Sequence, residues 1–241
     1  MNKMAIYVEG QTEMVFIEKL ITEIANRNSI KIESYKIRGG SKVPLTVLKI
    51  KEISTSCPQY YIQIYDCGND SKVQSKIQED SLKLQEANFK KILGLRDLYP
   101  LQLTELPNLL KYTKPKIKDL EIPAKTIICI TEIESWFLYE FLFLSKVDPY
   151  LTAENIKANL SYDLENDCIN GNIETDSRYH HATQVLEKIY KLALKKYKKK
   201  LDRTEKLVDL LDYERIYLEI RQYSKSLGAF LKELDEFFSL T

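Results

Sequence analysis

Met4-Ala5-Ile6-Tyr7-Val8-Glu9-Gly10-Gln11-Thr12-Glu13 opens the chain with an apolar run, a carboxylate, a glycine and a second carboxylate. A short apolar run closed by glycine predicts a buried strand. Glu9 then stands at the strand's carboxyl end, Gly10 allows a tight turn, and Glu13 falls in the first turn of a helix. Sheets of the α/β class place ligands at that end of their strands. Two carboxylates there suit a hard cation such as Mg²⁺, which prefers oxygen ligands. A purely structural account is equally simple: Thr12 caps the helix and Glu13 complements its dipole.

The pattern continues along the chain. Ile17, Leu20, Ile21 and Ile24 have the spacing of an amphipathic helix. Ile30, Ile32, Tyr35 and Ile37 alternate with polar residues and predict a second strand. It is followed by a glycine turn, Arg38-Gly39-Gly40-Ser41-Lys42, and a helix over 44–53. Further strands are expected at 60–65, ending at Asp66, at 92–95, ending at Arg96-Asp97, and at 126–130. A long polar helix is expected over 71–88, and the four prolines within 99–123 suggest an excursion or lid. Strands alternating with helices predict an α/β fold, a mostly parallel sheet with right-handed crossovers. From about residue 140 only helical patterns remain, which divides the chain into an α/β domain over 1–140 and a helical lobe over 141–241.

Acids recur at the predicted strand ends: Glu9, Asp66, Asp97, and Glu132 with Glu134. Parallel strands point their carboxyl ends to one edge, so these groups are expected to converge. Crowded carboxylates repel unless a proton or cation neutralises them. Divalent metals are natural partners, because they stabilise charge on a phosphoryl group and activate water. Asp66-Cys67-Gly68-Asn69-Asp70 reads as a loop of oxygen ligands or as an ordinary polar turn, with Asp70 either a ligand or a helix cap. Trp136 reads as a core anchor.

Composition sets the outer limits. Hydrophobic residues make up 44% and charged residues 29% of 241, as in a soluble globular protein, and the net charge is only +1. Nucleic-acid contact therefore calls for a local basic patch. No run approaches the roughly 20 apolar residues of a membrane span, and the expected location is the cytoplasm. Cys57, Cys67, Cys129 and Cys168 form no CxxC pair, which argues against structural zinc. There is no GxxxxGK[ST] loop, so a nucleotide-driven partner such as an ATPase would be a separate polypeptide.

Together these residues resemble the TOPRIM fold shared by topoisomerases, primases and the overcoming-lysogenization-defect nucleases. Val8-Glu9-Gly10-Gln11-Thr12-Glu13 is similar to the VEGxTE segment of those nucleases. Glu132-Ile133-Glu134-Ser135-Trp136-Phe137-Leu138 is similar to the ExEAWFL segment of small stand-alone bacterial TOPRIM-like proteins. The resemblance implies a nuclease using Mg²⁺ or Mn²⁺, with Glu9, Glu13, Asp66, Asp70, Asp97, Glu132 and Glu134 as candidate ligands. Glu9, Glu13, Asp66, Asp97 and Glu134 are the catalytic candidates, and a bacterial defence or mobile-element setting is implied. One departure is plain: the second acid of the family's DxD is Gly68 here. That departure favours the alternative, a non-catalytic TOPRIM-like binding subunit of a larger complex.

Two other segments carry charge. Lys195, Lys196, Lys199 and Lys200, with Tyr190 just before them and Tyr197 among them, read as one basic side of a helix, either a solvated face or a contact for the phosphates of DNA or RNA. Arg38 and Lys42 are further phosphate candidates. His180 and His181 are neighbours that on a helix point about 100° apart, so capping or packing is expected of them rather than joint metal ligation.

Overall fold

The computed structural model describes residues 1–25, 29–39, 43–114 and 120–239, with Asp70 and Ser71 described in their backbone alone. Among these residues six strands form one sheet: β1 (Asn2–Val8), β2 (Ile30–Arg38), β3 (Thr46–Ser54), β4 (Tyr60–Asp66), β5 (Lys91–Asp97) and β6 (Ala124–Cys129). Their order is β3-β2-β4-β1-β5-β6. β2, β4, β1 and β5 pair in parallel, and β3 is antiparallel to β2 at the edge. The fold is α/β with a mostly parallel sheet flanked by helices.

Helix α1 (Gln11–Ala25) links β1 to β2, passing β4 on the way, and α2 (Asp70–Glu86) links β4 to β5, passing β1. The two connections run in opposite directions across the sheet. Right-handed crossovers therefore place α1 and α2 on opposite faces. On the α2 face, Ala5 and Tyr7 of β1 pack with Val73 and Ile77. That face also carries a row of tyrosines in register, Tyr7 opposite Tyr65 and Tyr65 opposite Tyr35. Their rings stack at 4.8 and 5.0 Å, so part of the chain's tyrosine content is cross-strand packing.

The segment predicted as a helix over 44–53 is instead the edge strand β3. Its apolar residues Val47, Leu48 and Ile50 stay exposed, so they make no buried helical stripe. β-branched Thr46, Val47, Ile50 and Ile53 favour a strand once β2 offers pairing partners. Lys49, Lys51 and Glu52 supply the charge that discourages further strands from adding. The predicted cap of α2 also moves: Asn69 Oδ1 accepts from Lys72 N at 3.1 Å, and Asp70 is already helical. In the proline-rich excursion, α3 (Leu106–Tyr112) follows a short 3₁₀ turn.

Helices alone follow β6 in the described residues: α4 (Glu134–Tyr139), α5 (Phe143–Val147), α6 (Ala153–Leu160), α7 (Leu164–Ile169), α8 (Asn172–Thr175), α9 (Ala182–Leu192), α10 (Leu201–Val208), α11 (Tyr213–Leu218) and α12 (Lys225–Phe238). The chain forms two compact units, one comprising Met1–Arg96, Pro107–Ile128 and Glu233–Thr241, the other Asp97–Leu106 and Cys129–Lys232. The second unit is built around Trp136, Phe137, Tyr139, Phe143, Tyr179 and Phe230, all essentially inaccessible. Trp136 Nε1 donates to Ser226 Oγ at 2.7 Å, giving the buried indole its one required acceptor. No helix of the described residues is long and apolar enough to cross a membrane.

Candidate active site

In the first unit β1 and β4 are neighbours whose following helices lie on opposite faces. This is the switch point of an open α/β sheet, where a crevice opens beyond the strand ends. Val8 is in register with Asp66, and Cys67 N donates to Val8 O at 2.9 Å, so Glu9 and Asp66 leave adjacent strand ends. Glu9 is half-buried, whereas Glu13 and Asp66 are buried. Glu13 lies on the first turn of α1 with its carboxylate folded back over Gly10. A Cβ at Gly10 would come within 3.3 Å of Glu13 Oε2, so a side chain there would displace the carboxylate by a few tenths of an ångström. Thr12 lies inside α1 and is not its cap, since helical bonding begins with Met14 N donating to Gly10 O at 3.2 Å.

Asp66 already has protein partners. Lys36, its register neighbour on β2, places Nζ 3.4 Å from Oδ2. Gly68 N donates to Asp66 Oδ1 at 2.9 Å. Gly68 adopts φ +82, a left-handed conformation that side chains rarely take. The local backbone thus explains why glycine stands where the resembled family has a second acid. Arg38 is exposed at the end of β2. Lys42 and the Asp70 side chain lie outside the described residues.

The second unit gathers another set of acids. Asp97, Glu132 and Glu134 are all buried. Lys199 Nζ stands 2.9 Å from Glu134 Oε2 and 3.4 Å from Glu132 Oε1. Glu132 Oε2 meets His181 Nδ1 at 2.7 Å and accepts from Thr183 N at 2.9 Å, while Oε1 accepts from Thr183 Oγ1 at 2.8 Å. Glu134 Oε1 accepts from Tyr197 OH at 2.8 Å. Tyr99 stacks on His181 at 4.4 Å. Burial opposes the charge of Glu132, but Lys199 and the Thr183 and His181 hydrogen bonds outweigh it and hold the carboxyl below its ordinary value. Burial likewise works against the Lys199 ammonium. The carboxylates of Glu134, Glu132 and Asp97 prevail and raise it above the usual lysine range.

One expectation needs correction here. Residues 195–200 form no helix; they are an irregular connection between α9 and α10, tightly turned where Lys200 N donates to Lys198 O at 2.9 Å. The lysines therefore divide: Lys199 turns to Glu132 and Glu134, whereas Lys195, which pairs with Asp148 at 3.1 Å, lies with Lys196 and Lys198 around one concavity. Glu132 precedes α4 and Glu134 begins it, yet both reach the same lysine. Thr131, with φ +76, bends the chain just before them. A β-branched residue in that region is an outlier held by its surroundings.

The sequence alone does not place Thr183 or Tyr197 at this cluster, and it gives His181 capping or packing and Lys199 a phosphate contact. His181 does precede α9 and stack on Tyr99, but the sequence does not signal the carboxylates these residues meet. These residues lie about 50 to 65 residues beyond the acids they serve.

The donor chemistry can be tested against a metal. Mg²⁺ is commonly held by one or two carboxylates, with water and substrate phosphates completing its shell. Glu9, Glu13 and Asp66 offer hard oxygens of that kind, but the three together do not make a metal-holding group; one or two of them, completed by water and substrate, is the most their arrangement allows. Among the described residues no group of three or more His, Cys, Asp or Glu side chains could hold a metal ion. A two-metal centre built wholly from protein ligands does not fit.

No protein-family model and no curated protein matches the chain. A solved structure, described as that of the "putative cell surface hydrolase from Lactobacillus plantarum WCFS1", is similar over 54% of each chain at 12% identity, with a TM-score of 0.25. A likeness that slight says nothing about activity.

Proposed function

We propose that the protein is a cytoplasmic phosphodiesterase of TOPRIM-like type that cleaves DNA or RNA with Mg²⁺ or Mn²⁺, in a bacterial defence or mobile-element setting. The observation that carries this reading is that Glu9 and Asp66 leave adjacent strand ends at the switch point of the sheet, Val8 being in register with Asp66, while the Glu13 carboxylate folds back over Gly10. One or two carboxylates among Glu9, Glu13 and Asp66 would hold the cation, with water and substrate phosphate completing its shell. When bound, it stabilises charge on the phosphoryl group and lowers the pKa of attacking water. Arg38 and Lys42 steady the substrate phosphate. Within the second unit, Glu132 and Glu134 have Lys199 as their counter-ion.

A second reading, the non-catalytic binding subunit, is favoured by a separate observation. Asp66, Glu132 and Glu134 each already have a lysine within ion-pair distance. Incubating the purified protein with single- and double-stranded DNA and RNA, with Mg²⁺, Mn²⁺ or EDTA, separates the two. Metal-dependent cleavage that Glu9→Gln abolishes without unfolding the protein supports the enzyme. A folded protein that cuts nothing under any metal supports the subunit.

A further inference from the structure

The second unit holds a cavity of about 590 Å³ with an unusual lining: six cationic side chains and no acid. Two of the six are engaged locally. Lys146 Nζ donates to Leu210 O at 2.7 Å, and Lys195 pairs with Asp148. Arg203 has only a long contact of 3.6 Å to Asp202, both groups being well exposed. Lys196, Lys198 and Lys206 have no ion pair among the described residues. Cations gathered around one concavity repel one another, and an anion relieves that repulsion.

The same walls are apolar deeper in. Val147, Leu207, Leu210 and the ring of Tyr190 line the cavity, and Tyr190 meets Tyr197 edge-on at 5.6 Å. Leu194 stands at the cavity 96% exposed, in a left-handed conformation with φ +57. The volume falls within the roughly 300–1,000 Å³ usual for small-molecule sites. Inorganic phosphate would leave most of this space and all of the apolar wall unused. We propose that the cavity binds a nucleoside phosphate, its ring system against Tyr190, Leu207 and Leu210 and its phosphate among Lys196, Lys198, Arg203 and Lys206. The inference is independent of the metal-dependent reading, because it uses none of the carboxylates assigned to the cation.

The residues also suggest what occupancy would reach. Lys196, Tyr197 and Lys198 line the cavity, while Tyr197 OH and the next lysine, Lys199, hold Glu134. One short segment thus serves both places.

The test is calorimetric titration of the full chain, without metal, using AMP, GMP, CMP, UMP, adenosine, inorganic phosphate and a short single-stranded oligonucleotide. At least one nucleoside monophosphate should bind, at least ten-fold tighter than adenosine or phosphate, and weaken as salt is raised. Lys198→Gln with Lys206→Gln should lower that affinity at least ten-fold with the circular dichroism spectrum unchanged, while Lys232→Gln leaves it intact. The proposal is overturned if no monophosphate binds at millimolar concentration, or if the double variant binds as well as the parent. It is equally overturned if phosphate binds as tightly as the nucleotides, or if only the oligonucleotide binds.

Discussion

Lys199 Nζ lies 2.9 Å from Glu134 Oε2, and Glu134 is wholly buried while the lysine side chain remains 37% exposed. The lysine thus caps an acidic cluster from the solvent side. Removing one partner of a buried pair strands a charge and costs about 3–5 kcal/mol. The exposure of Lys199 lets water recover part of that, so Lys199→Gln should lose about 1–3 kcal/mol at neutral pH. The sign with pH follows from Glu132, whose carboxyl is held low in the folded state. Its contribution is present above the unfolded carboxylate value and lost as pH falls through the folded one. Urea unfolding should therefore show parent and variant converging at acidic pH, and a difference that persists there would contradict the assignment.

Glu140 behaves in the opposite sense. It is completely buried, and although Arg215 approaches to 3.5 Å, burial raises its carboxyl from 4.5 to about 7. Between those values the unfolded chain has released the proton and the folded one retains it, so stability falls as pH rises through this window. The shift corresponds to about 3 kcal/mol at most. Glu140→Gln should flatten the decline between pH 5 and pH 7.5 and be the more stable protein at the upper end. Thermal melts across that range check it, and a variant as pH-sensitive as the parent would show that another group titrates.

The central strands were legible because their apolar runs end in glycine or an acid, and Met4 to Val8 indeed has no accessible surface. Strand β3 was not, because its apolar residues face solvent and its identity comes from pairing with β2, which local pattern does not carry. The acids Glu9, Asp66, Glu132 and Glu134 stand out in the sequence by their places after apolar runs. Their partners do not: nothing around Lys36, Lys199 or His181 signals that each will answer a particular carboxylate. The lysine run suggests a helix because five lysines within six residues look helical on propensity alone, whereas the segment is irregular and turns at Lys199.

Gly68 gives a direct test of backbone conformation. With φ +82 and its nearest non-neighbouring atom, Ile37 O, 3.9 Å from a Cβ position, a side chain there meets strain and no clash. Gly68→Ala should cost about 1–2 kcal/mol, the penalty of a left-handed L-residue. Denaturant unfolding measures this, and a neutral result would mean the turn relaxes to another conformation. Gly68→Asp should cost somewhat less, since Asp tolerates this region.

Lys36 and Asp66 allow the two functional readings to be told apart. Lys36 Nζ, 3.4 Å from the buried Asp66 carboxylate, supplies the positive charge that a metal would otherwise provide. If Asp66 is a metal ligand, lysine and cation compete, and Lys36→Gln trades an intrinsic counter-ion for a stronger Mg²⁺ site. The variant should then be less stable than the parent in EDTA and regain stability as Mg²⁺ is added. At a hundred times the dissociation constant that regain is about 2.7 kcal/mol. The parent, already neutralised, should respond less. If Asp66 is only structural, Lys36→Gln loses stability and Mg²⁺ restores none of it. Melting curves of both proteins in EDTA and in millimolar Mg²⁺ decide the matter, with Lys36→Gln/Asp66→Asn as control. That double variant has neither the lysine nor the carboxylate charge, so it should be insensitive to Mg²⁺, and a response in it would move the cation site away from Asp66.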